Sequence, residues 1–334
     1  MTRLRTFIVL AATLLGLTVW TAPAGTASAA AGTASGSVGT SAASGTATYK
    51  IWQWNIAGHA INRGSTDNGL VKAILGSVSY RNPDFIALNE VCPDQYRAIL
   101  KGLQDAGWPQ SPTNFARFEP MPDVDADLCG NDGGGPDQDP YGVAVFSRFP
   151  PSGTDRITLP YDGDKARKLL CTPLATQPGS PRFCTTHITF KSAHKQAQLD
   201  AVRAKMEEWT AAGGTVITAG DFNVQPHDPL LDAWYAPSVA TAANAGNTGL
   251  FRELDDLDPL CPGWGEQTTE GTLAGACGQP AKVDLAFAAE SRLVSYGADA
   301  HPIAQDRCLN GAGTAYIACS DHRIVDATVT VTTP

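Results

Sequence analysis

Six short stretches place polar side chains where apolar runs begin or stop. YKIWQWN ends on Asn55, DFIALNE on Glu90 and CTTH on His187. TVITAGDFN carries Asp221 and Asn223, KVDLAF carries Asp284 near its start, and CSDH sets Asp321 and His322 just before the last apolar run. One such residue alone reads as a cap or turn former. Six stations drawn from carboxylates, amides and imidazoles fit a convergent site better. Asn55, Glu90 and Asp321 offer hard oxygens, which suit a divalent cation, Mg²⁺ first and Mn²⁺ or Ca²⁺ next. The chain has no CxxC and no Cys/His cluster of the kind zinc requires. His187 and His322 can donate to phosphate oxygens or move protons near neutral pH. Asp284 can orient His322, Asp221 can hold or deprotonate a water, and Asn223 can donate to a phosphoryl oxygen as charge grows on it. The chemistry these types support together is metal-assisted hydrolysis of a phosphate ester.

Elements of defined type must hold those residues. YKIWQWNI, DFIALNEV, YGVAVFSRF, KLLCTPLAT, RFCTTHITF, TVITAGDF, VDLAFAA and HRIVDATVTV are short runs rich in β-branched and aromatic residues, and read as strands. Between them, Leu199, Val202, Met206 and Trp209 repeat at helical spacing, which predicts a helix from about His194 to Ala212 with Ser192 as N-cap and Gly213-Gly214 as its stop. Two further helices are expected near 69–80 and 94–106. Hairpins mixed with single helices indicate α/β with mixed sheets. Alternation along GDFN turns Phe222 toward the core, opposite Asp221 and Asn223. Two stretches, 120–140 and about 236–279, read as long irregular loops. Asp123, Asp125 and Asp127 in the first do not make a calcium loop of the EF-hand type, because its sixth position is Leu128 and its twelfth Gly134.

The 334 residues are 43% hydrophobic and 17% charged, enough for one large folded unit. Arg3 and Arg5 precede FIVLAATLLGLTVW, a run of about 14 residues that is short for a membrane span, and small residues at Ala27-Ser28-Ala29 follow. Residues 1–29 are therefore expected to be a secretory signal peptide. Residues 30–48, rich in Ala, Gly, Ser and Thr, read as a linker, and 49–334 as a single domain. The mature chain then has no transmembrane segment and is expected outside the cell. Its formal charge of −9 becomes −11 without the two arginines. That balance lacks the broad basic footprint of a nucleic-acid-binding module, yet it admits a nuclease whose metal supplies positive charge locally. The even count of eight cysteines suits an exported, disulfide-bonded protein. Cys171 and Cys184 lie symmetrically about Gln177-Pro178 and are expected to face each other across a hairpin. Neighbour pairing gives Cys92–Cys129, Cys261–Cys277 and Cys308–Cys319.

In order and spacing, WNIAGH, LNE, YGVAVFSRFP, TTHITF, GDFN, KVDLAF and SDH resemble the endonuclease/exonuclease/phosphatase superfamily, the deoxyribonuclease I-like proteins, over roughly residues 49–334. The resemblance implies a four-layer α/β sandwich, two mixed β-sheets face to face with helices outside, and a site at one end of the sheets. It implies metal binding at Glu90 with Asn55 and Asp321 nearby, a phosphate-contacting or acid histidine at His187, and the GDxN pair at Asp221 and Asn223. Asp284 and His322 match its carboxylate–histidine pair. YGVAVFSR lacks the acidic partner that some family nucleases provide for the histidine. Tyr141 occupies the place of a phosphate-facing tyrosine, and His59, four residues beyond Asn55, is a weaker substrate-side candidate. Arg148 reads as structural, pairing across the sheets, while Arg167 and Lys168 read as a solvated face. The expected protein is a secreted, monomeric, metal-dependent phosphodiesterase acting on nucleic acid, DNA first and RNA second. A phospholipid, sphingomyelin or inositol-phosphate hydrolase is the alternative, and a non-catalytic binding protein a third.

Overall fold

The computed structural model describes residues 45–109, 115–122, 129, 140–174, 177–178, 180–271, 275–302, 308–310 and 312–333. The expected signal peptide, most of the linker and the Asp123/Asp125/Asp127 stretch lie outside these residues. Thr46–Thr48, read above as linker, already belong to the first strand, β1 (Thr46–Asn55).

Two six-stranded sheets carry the fold. The first runs β11 (Leu293–His301), β14 (Ile324–Thr332), β1, β2 (Phe85–Val91), β4 (Gly142–Ser147) and β3 (Ala116–Pro120). The second runs β5 (Asp155–Thr158), β6 (Lys168–Pro173), β7 (Arg182–His187), β8 (Val216–Asp221), β10 (Asp284–Ala289) and β9 (Phe251–Glu253). A two-stranded ribbon, β12 (Cys308–Leu309) with β13 (Tyr316–Ile317), lies apart from both. All eight expected strands are present. The strands not foreseen are β3, β5, β9 and β11, which form the edges of both sheets, and β12 and β13 of the ribbon.

Period-two alternation builds three apolar layers. Ile51, Phe85, Ala87, Val143 and Val145 face Leu170, Phe183, Ile217, Ala219 and Ala286 between the sheets. The opposite faces of β1, β2 and β4 (Trp52, Trp54, Ile86, Leu88, Phe146) bury Ile74 and Val78 of α1 (Leu70–Arg81) and Ile99 and Leu103 of α2 (Pro93–Asp105). On the far side of the second sheet, Leu169, Val216, Leu285 and Phe287 cover Leu199, Val202 and Met206 of α3 (Ser192–Ala211). Helix–sheet–sheet–helix is thus the expected sandwich. The cap of α3 differs: Lys191 is the N-cap and Ser192 the first helical residue. No described helix is long and apolar enough to cross a membrane.

Among the described strands, only β1 with β2 and β7 with β8 pair in parallel. These four strands finish on Asn55, the Glu90 bulge, His187 and Asp221. The antiparallel neighbours β10 and β14 begin at that same end, so Asp284 and His322 return to it. The described part of the 236–279 segment contributes a 3-10 turn (Pro237–Val239) and β9 and is otherwise irregular. It closes on the buried Trp264, whose indole donates to His227 Nδ1 at 3.0 Å.

All four expected cysteine pairs are bonded. Cys171 and Cys184 are direct partners in the β6–β7 ladder, with Cα atoms 4.0 Å apart. Closing so short a loop restricts the unfolded chain. The double variant Cys171→Ala/Cys184→Ala is therefore expected to lose about 2–4 kcal/mol, read by denaturant unfolding against the oxidised parent. An unchanged midpoint would show that the ladder alone fixes this hairpin.

Candidate active site

The polar strand ends meet around one carboxylate. Asp221 closes β8 with its side chain on the inter-sheet face, as alternation from Ile217 and Ala219 requires. Its Oδ2 accepts from Asn55 Nδ2 at 3.0 Å and lies 3.3 Å from His187 Nε2 and 3.9 Å from His322 Nε2. Its Oδ1 accepts the backbone N–H of Asn223 at 2.9 Å, an Asx turn that ends the strand. Phe222 points the other way and is buried against Trp234 and Phe287. Asn223 departs from the expected alternation, because its φ of 51° takes it off the strand. The turn, not the pleat, aims its amide, which donates to the Ile188 carbonyl at 2.9 Å.

Asn55 bridges two carboxylates. Its Nδ2 donates to Glu90 Oε1 at 3.3 Å as well as to Asp221, while its Oδ1 accepts from Ala57 N at 3.1 Å. Simple alternation after Leu88 would turn Glu90 toward the helices. A register shift between Leu88 and Val91 and a φ of 57° at Glu90 bring it to the site instead. His59 Nδ1 lies 3.4 Å from Glu90 Oε2 and stacks on Tyr141 at 4.3 Å between ring centroids. Lys165 Nζ sits 5.3 Å from the other partner of that stack, the Tyr141 ring. Both weaker candidates, His59 and Tyr141, thus join the site.

His322 is fixed through Nδ1, 2.7 Å from Asp284 Oδ2, and Asp284 Oδ1 accepts from Gln53 Nε2 at 2.9 Å. The expected carboxylate–histidine pair is formed. Asp321 is exposed and sits beside the imidazole it helps to keep charged, while the Glu90–Asn55 contact forms without it. Among the described residues, the one set of three acidic or histidine side chains with ligand atoms within 4.8 Å of one another is Asp255, Asp258 and Glu266, in the 236–279 loop. At the strand ends, the Glu90 carboxylate adjoins the Asn55 amide, which turns its nitrogen to Glu90 and its oxygen to Ala57 N, and a carboxylate kept ionised beside a neutral amide suits a hard divalent cation.

Burial and charge give these groups different proton affinities. Burial raises the Glu90 carboxyl, but the His59 hydrogen bond, with the Asn55 amide, outweighs it and brings its pKa down to about 2. Burial dominates at Asp221 and, with Asp284 nearby, pushes it up to about 7 against the pull of His322 and its hydrogen bonds. Burial opposes the charge on His322, yet Asp284 overcomes it and raises the imidazole to about 10. Burial and the Arg167 guanidinium hold His187 well below an ordinary histidine.

Three functional positions escaped the sequence reading. Arg167 is not on a solvated face. It is 1% exposed, its Nε lies 3.2 Å from Asp162 Oδ2, its charge reaches His187, and its Nη1 meets no partner among the described residues. Lys168 is also covered, donating to Thr158 Oγ1 at 2.9 Å and lying 3.5 Å from Glu119. Arg148 is structural but pairs within one sheet's helical layer, donating to the Pro83 carbonyl and lying over Trp108. The other two missed positions are Gln53 and Asn89. Asn89 Oδ1 accepts the Asp221 N–H at 2.9 Å and the Gln53 amide at 3.3 Å, and its Nδ2 donates to the Thr186 carbonyl at 3.0 Å. The available signal was a polar residue at an inward position otherwise held by Ile51, Phe85 and Ala87.

The comparisons agree with this geometry. The model of the Endonuclease/Exonuclease/phosphatase family matches residues 52–322. No curated protein matches the chain. Among solved structures, the human Nocturnin catalytic domain with bound sulfate is 17% identical, with a TM-score of 0.56 over 86% of this chain and 97% of that one. An endonuclease/exonuclease/phosphatase from Beutenbergia cavernae is 18% identical, with a TM-score of 0.55 over 85% of this chain and 72% of that one. D. rerio TDP2 complexed with single strand DNA product is 16% identical, with a TM-score of 0.54 over 84% and 98%. At these identities the likeness is one of fold.

Asn89→Ala takes from the buried Asp221 N–H and Thr186 carbonyl their side-chain partner. Each orphaned group costs about 1–3 kcal/mol. The variant is expected to lose at least about 2 kcal/mol of stability by denaturant unfolding. Wild-type stability would mean that water replaces the amide and that the cross-sheet contact is dispensable.

Proposed function

The chain belongs to the endonuclease/exonuclease/phosphatase family, whose members hydrolyse phosphate esters, and on that premise we propose that it is a secreted, divalent-metal-dependent phosphodiesterase that cleaves DNA. The observation that carries the reading is the Asp221 Oδ2 atom, a buried carboxylate oxygen within 4 Å of Asn55, His187 and His322. The four disulfides support the secreted part of the proposal, since such bonds persist in oxidising compartments.

Glu90 and Asn55 would hold the cation, which when bound supplies Lewis-acid stabilisation of phosphoryl oxygens. The other roles belong to the chain's own groups. Asp221, with a pKa lifted to about 7, takes the proton of the attacking water. Asn223 has one amide hydrogen committed to Ile188 and one left for a non-bridging phosphoryl oxygen. His322, held as imidazolium by Asp284, offers Nε2 to the phosphate charge or a proton to the departing oxygen. His187, kept neutral, donates from one ring nitrogen without adding charge. Arg167, buried and close enough to act on His187, keeps an Nη1 with no partner among the described residues.

The test is turnover of plasmid DNA, single-stranded DNA, RNA, sphingomyelin and inositol phosphates side by side, with Mg²⁺ and with EDTA. Cleavage of the nucleic acids that EDTA stops and added Mg²⁺ restores is the expected result. Selective turnover of sphingomyelin or an inositol phosphate would replace the substrate assignment. Within the site, Glu90→Gln and Asp221→Asn are expected to fold normally and lose most activity. Asn223→Ala should lower kcat by about 10²–10³ while moving KM little. If Asp221 and Asn223 only shape a turn, both variants would keep near-normal kcat and lose about 1 kcal/mol of stability.

A further inference from the structure

Two aromatic rings stand exposed beside this site. Phe190 is 64% and Tyr161 53% exposed. Phe190 comes three residues after His187, and Tyr161 lies in the connection from β5 to β6, six residues before Arg167. Their loops are tied together. Thr189 N donates to Gln198 Oε1 at 2.9 Å, and Gln198 Nε2 donates to the Pro160 carbonyl at 2.8 Å. Lys191 Nζ lies 2.7 Å from Asp164 Oδ2 and donates to the Asp162 carbonyl at 3.5 Å. The same connection leads into the site, because Asp162 holds Arg167 and Lys165 covers Tyr141. Lys195, one turn along α3, donates to the Asn223 carbonyl. Tyr161 and Phe190 are thus presented on fixed loops among Lys165, Lys191 and Lys195, in a chain that is acidic overall.

We propose that Phe190 and Tyr161 form a base-stacking rim that holds nucleobases next to the scissile phosphate of single-stranded nucleic acid. The proposal rests on the nuclease reading above and narrows its substrate. An aromatic face accepts any unpaired base, and flanking lysines follow the phosphates. Bases within a duplex are stacked on one another and offer no free face. A membrane surface fits less well, since two rings set beside Asp162 and Asp164 do not make a continuous apolar face.

The test compares kcat/KM for an oligothymidine and for an abasic (tetrahydrofuran) strand of equal length, with Mg²⁺, using the full chain. The wild type is expected to favour the base-bearing strand, and Phe190→Ala and Tyr161→Ala each to lose roughly tenfold of that preference. Phe190→Trp should retain it. Thermal melting of each variant verifies the fold. A preference untouched by either alanine overturns the rim while leaving the nuclease reading intact. So does a Phe190→Ala variant that keeps the preference but no longer binds phosphatidylcholine/phosphatidylserine vesicles, which would assign the rings to a membrane. A wild type that cleaves another phosphate ester but no oligonucleotide overturns both.

Discussion

The Asn89 side chain joins the two sheets at the end where the chemistry lies, and the site depends on that contact. It reaches from β2 of the first sheet to the Asp221 N–H of β8 and the Thr186 carbonyl of β7 in the second. Gln53 of β1 donates to it and to Asp284 of β10. The middle of the interface is apolar, and such contacts are non-directional. Amide hydrogen bonds are directional, so this network fixes how β1 and β2 stand against β7, β8 and β10, although Gln53 Oε1 meets no partner among the described residues. Amides are the side chains for this task because each offers both donors and acceptors without charge. A carboxylate at position 89 would add another negative group beside Asp221, Asp284 and Glu90 and could not donate to Thr186.

With the sheets registered in this way, the environment sorts chemically similar groups into different states. Glu90 and Asp221 both accept from the Asn55 amide, yet one pKa falls to about 2 and the other rises to about 7. Burial acts on both in the same direction. At Glu90 the His59 hydrogen bond outweighs burial, whereas at Asp221 burial, reinforced by Asp284, outweighs the pull of His322. The histidines divide likewise, His322 charged through Asp284 and His187 uncharged against Arg167. Carboxylates pushed apart in pKa at one site are the usual mark of separate ligand and base roles.

The sequence made the strand ends legible because strands are short apolar runs and polar residues at their ends stand out. Eight strands, the three helices and the cysteine pairs were accessible for the same reason, being local patterns or neighbours across one turn. Partners distant in sequence were not. Arg167 sits in GDKARKLL, a charged stretch that looks solvated, and its burial follows only from Asp162 turning back on it. Gln53 and Asn89 occupy inward positions, but their partners lie up to 231 residues away. Edge strands such as β5 and β11 lack an apolar face on both sides, which leaves their pattern weak. Asp321 read as a ligand from its place in SDH, yet local sequence does not disclose that its side chain is exposed.

Backbone conformation explains why the polar residues can face one another at all. A straight pleat would send Glu90 to the helical layer and carry Asn223 past the site. Both are non-glycine residues with φ between 50° and 60°, and Ala57, whose N–H Asn55 Oδ1 accepts, has a φ of 44°. Such conformations cost of order 1–3 kcal/mol each and persist only where the surroundings over-determine them. Glycine would remove the strain at positions 90 and 223 but also the carboxylate and the amide. The neighbouring loop supplies glycine where no side chain is needed. A Cβ on Gly58 would lie 2.4 Å from the Glu90 carbonyl and 2.3 Å from Gln95 Oε1, so the chain after Asn55 can cross the Glu90 bulge only as glycine. Gln95 in turn holds the Gly58 carbonyl at 3.0 Å and the Cys92 N–H at 3.0 Å, pinning the bulge from the start of α2. The strain at the candidate site is therefore maintained by a helix start and a loop that lie outside it.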